Sequence, residues 1–355
     1  MTGTPEASPS PDGVHGDVHD WAPAIGALCE AIRGPVRTGL AEVAAGRATL
    51  DSVAAAVSEG AGDVTFALDS VAEAGVTAWL QREGARRPLS LMTEDAGWRH
   101  VGPGPDGSAV ALPGFDHGGP RIALDPIDGT RNVMHDVRSA WIVVSVAGPG
   151  PGAPRYGDLE YGVVSELPDT RTHVARELTA RRGRGAELEV LDLEGGAAAS
   201  RRPIRTDGER RLDGGYFPFF GFHPALRPHV QRLGADVARR VAAAHGADPS
   251  RMFDDQYISS GGQLALLALG HYRAVVDPRG VVGQRVGDPQ QTCKPYDMAG
   301  AALVAEEAGC VVRAPDGAPL DFELDTTTTV DFAAFHNAAT AEAMGPHLAA
   351  ALADL

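Results

Sequence analysis

Stretches of helical and of strand periodicity alternate along the chain. Over residues 21–56, apolar positions recur every three to four residues, which predicts two helical pieces interrupted at Gly34-Pro35. A short strand follows, and then a helix over residues 70–82 with Asp69 or Ser70 as its N-cap. Runs rich in Val and Ile predict further strands up to residue 179, the last three of which look like a meandering sheet.

The second half of the chain continues this alternation of strands and helices. The pattern predicts helices over residues 228–244, from about residue 259, and at Asp297. Between the halves, the Gly-rich residues 183–199 are the best candidate for a boundary. We therefore predict a mixed α/β (α+β) chain with an N-terminal half, residues 21–185, and a C-terminal half, residues 186–355.

Composition and charge narrow the classes of protein. The net charge of -16 and the pI near 5.1 argue against a nucleic-acid partner, which needs a basic face, and suit a site that collects metal cations. Three cysteines without a CxxC pair indicate neither a disulfide framework nor a zinc site. No apolar run approaches the roughly 20 residues of a bilayer span. We expect a cytoplasmic protein with no membrane partner and a disordered tail, residues 1–20, rich in Pro, Gly and Ser.

Carboxylates recur where a predicted strand stops or a helix starts. Glu94 ends one strand, Asp125 and Asp128 end another, and Asp297 opens a helix. Strand ends in open sheets are places where side chains from distant parts of a chain converge on a ligand. Converging carboxylates repel one another unless a cation lies between them, and oxygen ligands without His or Cys favour Mg²⁺ over zinc.

The residues that follow the second acid suit an anion. Gly129 permits close approach of the backbone to a ligand, and Thr130 lies where amides at the start of a helix or turn face a negative charge. Mg²⁺ commonly shares its coordination shell with a substrate phosphate. Acids, metal, amides and a hydroxyl together predict a site for hydrolysis of a phosphate ester.

Three motifs, in this order, resemble the inositol monophosphatase-like family of Mg²⁺-dependent, lithium-sensitive phosphatases (FIG superfamily). They are "TED" at residues 93–95, "DPIDGTRN" at 125–132 and "YDMAGAALVAEEAG" at 296–309. The resemblance implies the layered αβαβα sugar-phosphatase fold, with two packed halves and the site between them. It also implies two or three Mg²⁺ per site and a homodimer.

The resemblance further implies a role for each metal ligand. Glu94, Asp125 and the carbonyl of Ile127 would hold a first Mg²⁺, and Asp125, Asp128 and Asp297 would hold a second. The family's usual second acid is shortened to aspartate in "TED", but the first acid, Glu94, is kept.

The catalytic groups that the resemblance implies lie beside these ligands. Asp69 resembles the acid that partners the motif threonine, here Thr130, so this pair and Glu94 are the candidate bases for attack by a metal-activated water. The amides of Gly129 and Thr130 would hold the phosphate oxygens.

Substrate residues are predicted from position in the sequence. Gln290 falls about where inositol-specific members carry a glutamate, which argues against an inositol phosphate as the substrate. Lys294 precedes Asp297 by three residues, and Ser260 and Gly261 open a predicted helix, so each is a candidate for substrate contact. The Arg-rich segments "ARRGRGA" and "SRRPIR" are candidates for binding a second phosphate.

These observations predict an enzyme, a Mg²⁺-dependent phosphomonoesterase that acts on a small polyol, sugar or nucleotide phosphate. Fructose-1,6-bisphosphatase and 3'(2'),5'-bisphosphate nucleotidase are the alternatives among enzymes. A catalytically silent regulator that binds a phosphorylated metabolite is the alternative of another class, and the retention of all the predicted metal ligands argues against it.

Overall fold

Residues 21–59, 64–195, 198–289 and 292–355 are described by the computed structural model, so the predicted tail, residues 1–20, lies outside the described residues. In these ranges the helices are α1 (Ala22–Ala44), α2 (Asp51–Ala54), α3 (Ala67–Gly84), α4 (Thr130–Met134), α5 (Arg227–His245), α6 (Ser260–Ala268), α7 (Arg279–Val286), α8 (Pro295–Ala308) and α9 (Ala338–Ala353). The strands are β1 (Ala56–Glu59), β2 (Val64–Phe66), β3 (Leu89–Thr93), β4 (Gly97–Pro103), β5 (Ala109–Ala111), β6 (Arg121–Asp128), β7 (Ala140–Ala147), β8 (Leu159–Leu167), β9 (Val174–Arg181), β10 (Gly185–Asp192), β11 (Ala198–Ile204), β12 (Gly215–Tyr216), β13 (Met252–Phe253), β14 (Ala274–Asp277), β15 (Val311–Arg313) and β16 (Phe332–Phe335).

A nine-stranded mixed sheet lies at the centre of the molecule, in the order β11-β10-β9-β8-β7-β6-β3-β4-β5. Strand β7 is buried along its whole length, and its side chains alternate between two cores. Ile142 and Val144 pack with α1 and α3, while Trp141 and Val143 pack with α6 and α8. The run of consecutive apolar residues in β7 is therefore the consequence of helices on both faces of the sheet.

A three-stranded sheet, β14-β16-β15, covers the other side of α6 and α8. Phe332 and Ala334 of β16 face these helices, whereas Ala333 and Phe335 face α5 and α9. The layers are thus helix, sheet, helix, sheet and helix, and the predicted αβαβα architecture is confirmed.

Helix α8 lies unusually close to the large sheet. A Cβ atom added at Gly300 would lie 2.2 Å from the carbonyl oxygen of Val144, and one added at Gly162 would lie 2.5 Å from the carbonyl oxygen of Gly300. Because real Cβ contacts are longer than this, only glycine fits at position 300 while the helix keeps its place. This contact fixes the distance between α8, which carries Asp297, and the sheet.

The predicted interruption at Gly34-Pro35 is wrong, because α1 continues through Pro35. Ile32 and Val36 on either side of the proline are fully buried in the core beneath the sheet. Proline costs the helix one backbone hydrogen bond, and the burial of this face holds the helix together. The N-cap of α3 also differs from the prediction. It is Phe66, whose amide donates to Oδ2 of Asp69 (2.8 Å), a residue in the first turn of the helix.

The predicted boundary at residue 185 falls inside the large sheet. Strands β10 and β11 lie beyond that residue and still pair in sequence onto β9. The sheet therefore ends at Ile204, and the division into halves stays a prediction. None of the helices in the described ranges combines the length and apolar character that a bilayer crossing requires.

Two histidines share one buried hydroxyl at the start of β3. His117 Nδ1 accepts from the amide of Gly119 (3.0 Å), so its Nε2 carries the proton and donates to Ser90 Oγ (2.7 Å). Ser90 Oγ then donates to His100 Nδ1 (2.8 Å). Both rings must be neutral to make these bonds, and burial lowers the pKa of each.

This network predicts a loss of stability on acidification. A histidine whose pKa is lowered by folding contributes stability above its unfolded pKa, about 6.5, and this contribution is lost as the pH falls. We expect His117→Asn, which can still accept from Gly119, to lose less in melting temperature between pH 7.5 and pH 5.5 than the wild type. His229→Asn, on α5 outside the network, is the control, and an equal loss in all three proteins would contradict the prediction.

Candidate active site

A β-bulge explains why two aspartates three residues apart face one pocket. Asp125 lies opposite Val143 and Asp128 lies opposite Trp141, so Pro126 and Ile127 of β6 oppose one residue of β7. In a regular strand, residues three apart point to opposite faces. The extra residue reverses this relation, and both carboxylates line the same pocket.

The neighbouring strand brings a third carboxylate to this pocket. Strand β3 runs parallel to β6 and pairs Thr93 with Leu124, so Glu94 follows at the same edge as Asp125. Asp297 comes from the first turn of α8, where its Oδ2 accepts from the amide of Lys294 (2.8 Å). Glu94, Asp125, Asp128 and Asp297 all line the pocket.

Asp128 is held by the start of helix α6. Its carboxylate accepts from Ser259 Oγ (2.7 Å) and from the amides of Ser260 (3.2 Å) and Gly261 (2.6 Å). Ser259 is the N-cap of α6 and also accepts from the amide of Gly262. The helix start thus neutralises part of the charge of Asp128 and fixes its orientation.

Crowding and burial perturb the acids in the pocket. Burial raises the pKa of Asp125 well above its usual value, and the carboxylates of Asp297, Asp128 and Glu94 raise it further. Burial also raises the pKa of Asp128 to about 6, although its hydrogen bonds from Ser259 and Gly261 act in the opposite direction. Ionisation of Asp125 and of Asp128 is therefore costly unless a cation lies nearby.

The turn after Asp128 carries the anion-facing groups. Gly129 has a φ of 98°, and a Cβ atom there would lie 2.8 Å from the carbonyl oxygen of Ile258. Thr130 Oγ1 lies 2.9 Å from Asp69 Oδ1 and 2.9 Å from the carbonyl oxygen of Ile127, and its single proton is shared between these acceptors. The pairing of Asp69 with Thr130, which the sequence only suggested, is present in the structure.

The donor chemistry of the pocket fits a hard cation. Carboxylates and a carbonyl are the oxygen ligands that Mg²⁺ prefers, and no histidine lines the pocket among the described residues. Within the described ranges, however, no three His, Cys, Asp or Glu side chains are grouped so that they could already hold an ion. Asp125 Oδ1 accepts from the amide of Ile127 (2.9 Å), and Asp128 and Asp297 also accept from backbone amides, so a cation would compete with these bonds.

Comparison with known proteins identifies the family and agrees with the fold. The sequence profile of the inositol monophosphatase family matches residues 36–348. The chain belongs to the inositol monophosphatase family. No curated protein matches it by sequence.

Several solved structures share the fold of this inositol monophosphatase family member at low sequence identity. A hypothetical protein from Pyrococcus horikoshii with similarities for inositol-1 monophosphatase is 16% identical, with a TM-score of 0.60 over 93% of this chain and 99% of that one. The extragenic suppressor protein suhB from Bartonella henselae is 18% identical, with a TM-score of 0.58 over 92% and 98% of the two chains. Fructose-1,6-bisphosphatase from Leishmania major is 14% identical, with a TM-score of 0.63 over 98% and 100%.

The predicted substrate residues of this family member have different surroundings. Lys294 lines the pocket and its Nζ donates to the carbonyl oxygen of Thr327 (2.9 Å), and Ser260 also lines the pocket. The amide of Gly261 donates to the carboxylate of Asp128. Gln290 lies outside the described residues.

The Arg-rich segments do not supply the cations of the pocket. Arg182 donates to the carbonyl oxygens of Leu159 and Tyr156, and Arg201 pairs with Glu189 on the distant strands β10 and β11. The pocket is lined instead by two arginines, Arg131 and Arg279, that the sequence reasoning missed, together with Lys294. A signal for Arg279 did exist, since it follows Asp277, another acid at a strand end.

Proposed function

We propose that this protein is a Mg²⁺-dependent phosphomonoesterase that hydrolyses a small polyol, sugar or nucleotide phosphate. The observation that supports this most directly is the convergence of Glu94, Asp125, Asp128 and Asp297 on the pocket that also contains Gly129 and Thr130. Family membership supports a phosphatase, and the raised pKa of Asp125 supports a cation as its partner.

Two or three Mg²⁺ are proposed for this site. Glu94, Asp125 and the Ile127 carbonyl would hold one, and Asp125, Asp128 and Asp297 would hold another. Bound Mg²⁺ supplies positive charge that stabilises the negative charge developing on the phosphate ester.

The protein's own groups would orient the reactants. The amides of Gly129 and Thr130 would hold phosphate oxygens at the turn. The Thr130 hydroxyl can donate to Asp69 Oδ1, so Thr130 Oγ1 would accept the proton of the attacking water while its own proton passes to Asp69. Glu94 is the second candidate base.

The test is release of inorganic phosphate from a panel of sugar, polyol, inositol and nucleotide phosphates, with Mg²⁺ and with chelator. We expect turnover that depends on Mg²⁺. If the ligands bind, as measured by thermal shift, but no ester is hydrolysed, the protein is a binding regulator and the proposed function is wrong. A cytoplasmic homodimer is proposed on the family resemblance, and light scattering of the purified protein tests the dimer.

Thr130→Val removes the hydroxyl while keeping the shape of the side chain. We expect kcat to fall by about 10²-fold, the lower range for loss of a positioned proton-transfer group, with little change in melting temperature. Thr130→Ser keeps the hydroxyl and is the matched control, which should retain most of the activity. Equal activity of Thr130→Val and wild type would remove Thr130 and Asp69 from the mechanism.

A further inference from the structure

Cations and aromatic rings alternate along one side of the pocket. The guanidinium carbon of Arg131 lies 5.7 Å from the ring centre of Phe66 and 5.5 Å from that of Phe222. Phe222 is stacked on Phe220, with ring centres 6.4 Å apart, and Arg279 lies 4.5 Å over Phe220. These five residues, the cation-aromatic wall, line the same pocket as the metal-site carboxylates.

Arg279 of this wall is held in place by the Asp277 carboxylate. Its Nε donates to Asp277 Oδ1 (2.7 Å) and its Nη2 donates to Asp277 Oδ2 (2.6 Å), so one edge of the guanidinium is fixed. Although burial lowers the pKa of Arg279, the Asp277 carboxylate raises it above its usual value, so the charge is retained. The nearby Asp331 carboxylate, whose pKa burial raises and the charge of Arg279 lowers, accepts from the amides of Gly280 (2.6 Å) and Val281 (2.8 Å) at the start of α7.

The opposite edge of Arg279 is available to a ligand. Within the part of the chain that the structure describes, Nη1 has no hydrogen-bond partner, and the 10% of the side chain that is exposed belongs to the pocket lining. Asp277 takes two of the five guanidinium N–H groups, and of the three that remain, one on Nη1 and one on Nη2 form a fork that matches the paired oxygens of a phosphate or carboxylate. A neutral hydroxyl would accept from only part of this donor pair, and an N–H donor that is buried without an acceptor is costly.

We propose that Arg279 binds a second anionic group of the substrate, a phosphate or a carboxylate, in the pocket that the metal-site carboxylates also line. The preferred substrates of the proposed phosphatase are then esters with two anionic groups rather than neutral polyol monophosphates. The kinetic test of this inference rests on the proposed function, because it measures hydrolysis. The binding test described below does not depend on hydrolysis.

Two pairs of substrates test the preference, each differing by one anionic group. Fructose 1,6-bisphosphate is compared with fructose 1-phosphate, and 3-phosphoglycerate is compared with glycerol 3-phosphate. A charged hydrogen-bond pair contributes roughly a 10- to 100-fold difference. We therefore expect kcat/KM to be higher by about that factor for the substrate with two anionic groups, in one or both pairs. The pair that shows the preference identifies the second group as phosphate or carboxylate.

The variant must remove the guanidinium without leaving Asp277 buried and unpaired. The double variant Asp277→Asn, Arg279→Gln replaces the ion pair by two amides. We expect the ratio of kcat/KM within each substrate pair to fall to about one, because KM for the substrate with two anionic groups rises while kcat changes little. Arg279→Lys keeps a cation beside Asp277 but loses the planar donor edge, so it should reduce the preference even if the double variant does not fold. Arg184→Gln, in one of the Arg-rich segments, is the matched control and should keep the preference.

A binding measurement separates this inference from the proposed hydrolase. Fructose 6-phosphate, which carries the second phosphate but not the scissile one, should raise the melting temperature of the wild type more than fructose does. The double variant should lose this difference. If no ester is hydrolysed but the wild type shows this difference in melting temperature and the double variant does not, the proposed function is wrong and the role of Arg279 is supported. If esters are hydrolysed with the same substrate preference in the wild type and in both Arg279 variants, the role of Arg279 is wrong.

Discussion

Asp125→Asn is expected to abolish hydrolysis, with a loss of at least about 10³-fold in kcat, while the protein remains folded. The carboxylate of Asp125 lies at the centre of the acidic group, since the charges of Asp297, Asp128 and Glu94 all act on it. It is also the one ligand proposed for both metals. Asparagine keeps an oxygen that can accept from the amide of Ile127, as Asp125 Oδ1 does at 2.9 Å, so the bulge should persist.

Stability without metal gives this variant a readout that does not depend on activity. Because folding raises the pKa of Asp125, the ionised carboxylate destabilises the metal-free protein above that pKa, and protonation removes the penalty at low pH. We expect metal-free Asp125→Asn to melt at or above the wild-type temperature at pH 8, with the difference shrinking towards pH 4. Added Mg²⁺ should raise the melting temperature of the wild type but not of the variant.

The matched control is Asp51→Asn, at an exposed position on α2 outside the pocket. It should retain both activity and the Mg²⁺ response. Turnover by Asp125→Asn at the wild-type rate would exclude the proposed metal site. A Mg²⁺ response that survives in Asp125→Asn would show that the ion binds elsewhere.

Gly300→Ala is expected to destabilise the protein by about 3 kcal/mol, the upper range for overpacking a core. The added Cβ would meet the carbonyl oxygen of Val144 at 2.2 Å, and backbone cannot move aside as a flexible side chain can. Helix α8 would have to shift away from β7, and Asp297 in its first turn would move with it. Activity should therefore fall even below the temperature at which the variant unfolds.

Gly26→Ala provides the matched control for this change. Gly26 also lies within a long helix, α1, but a Cβ atom there would have no neighbour within 4 Å. Alanine in such a position stabilises a helix by roughly 0.5–1 kcal/mol. Denaturant unfolding of the three proteins tests both expectations, and similar stability for Gly300→Ala and Gly26→Ala would contradict the close contact between α8 and the sheet.

Local patterns predicted those parts of the site that a single segment encodes. The motif "DPIDGTRN" places two acids, a glycine and a hydroxyl within one turn, and the structure brings all of them to one pocket. An acid at a strand end identified Glu94, and an acid at a helix start identified Asp297. The predicted helix break at Pro35 was wrong because a local signal was outweighed by tertiary packing. The low helix propensity of proline was offset by the burial of residues on both sides of it.

Sequence by itself determined the alternation of strands and helices and the set of carboxylates at strand ends and at a helix start, and the three motifs carried the resemblance that implied the layered architecture. These features follow from periodicity and from short motifs, which are local. Only the tertiary structure decided which of the many arginines face the pocket. An arginine is equally compatible with solvent, a surface ion pair or a buried site, and the choice depends on partners distant in sequence, such as Phe220 beside Arg279. For the same reason Arg201 of an Arg-rich segment pairs with Glu189 on the outer strands, while the pocket is lined by Arg131, by Arg279 beside Asp277, and by Lys294.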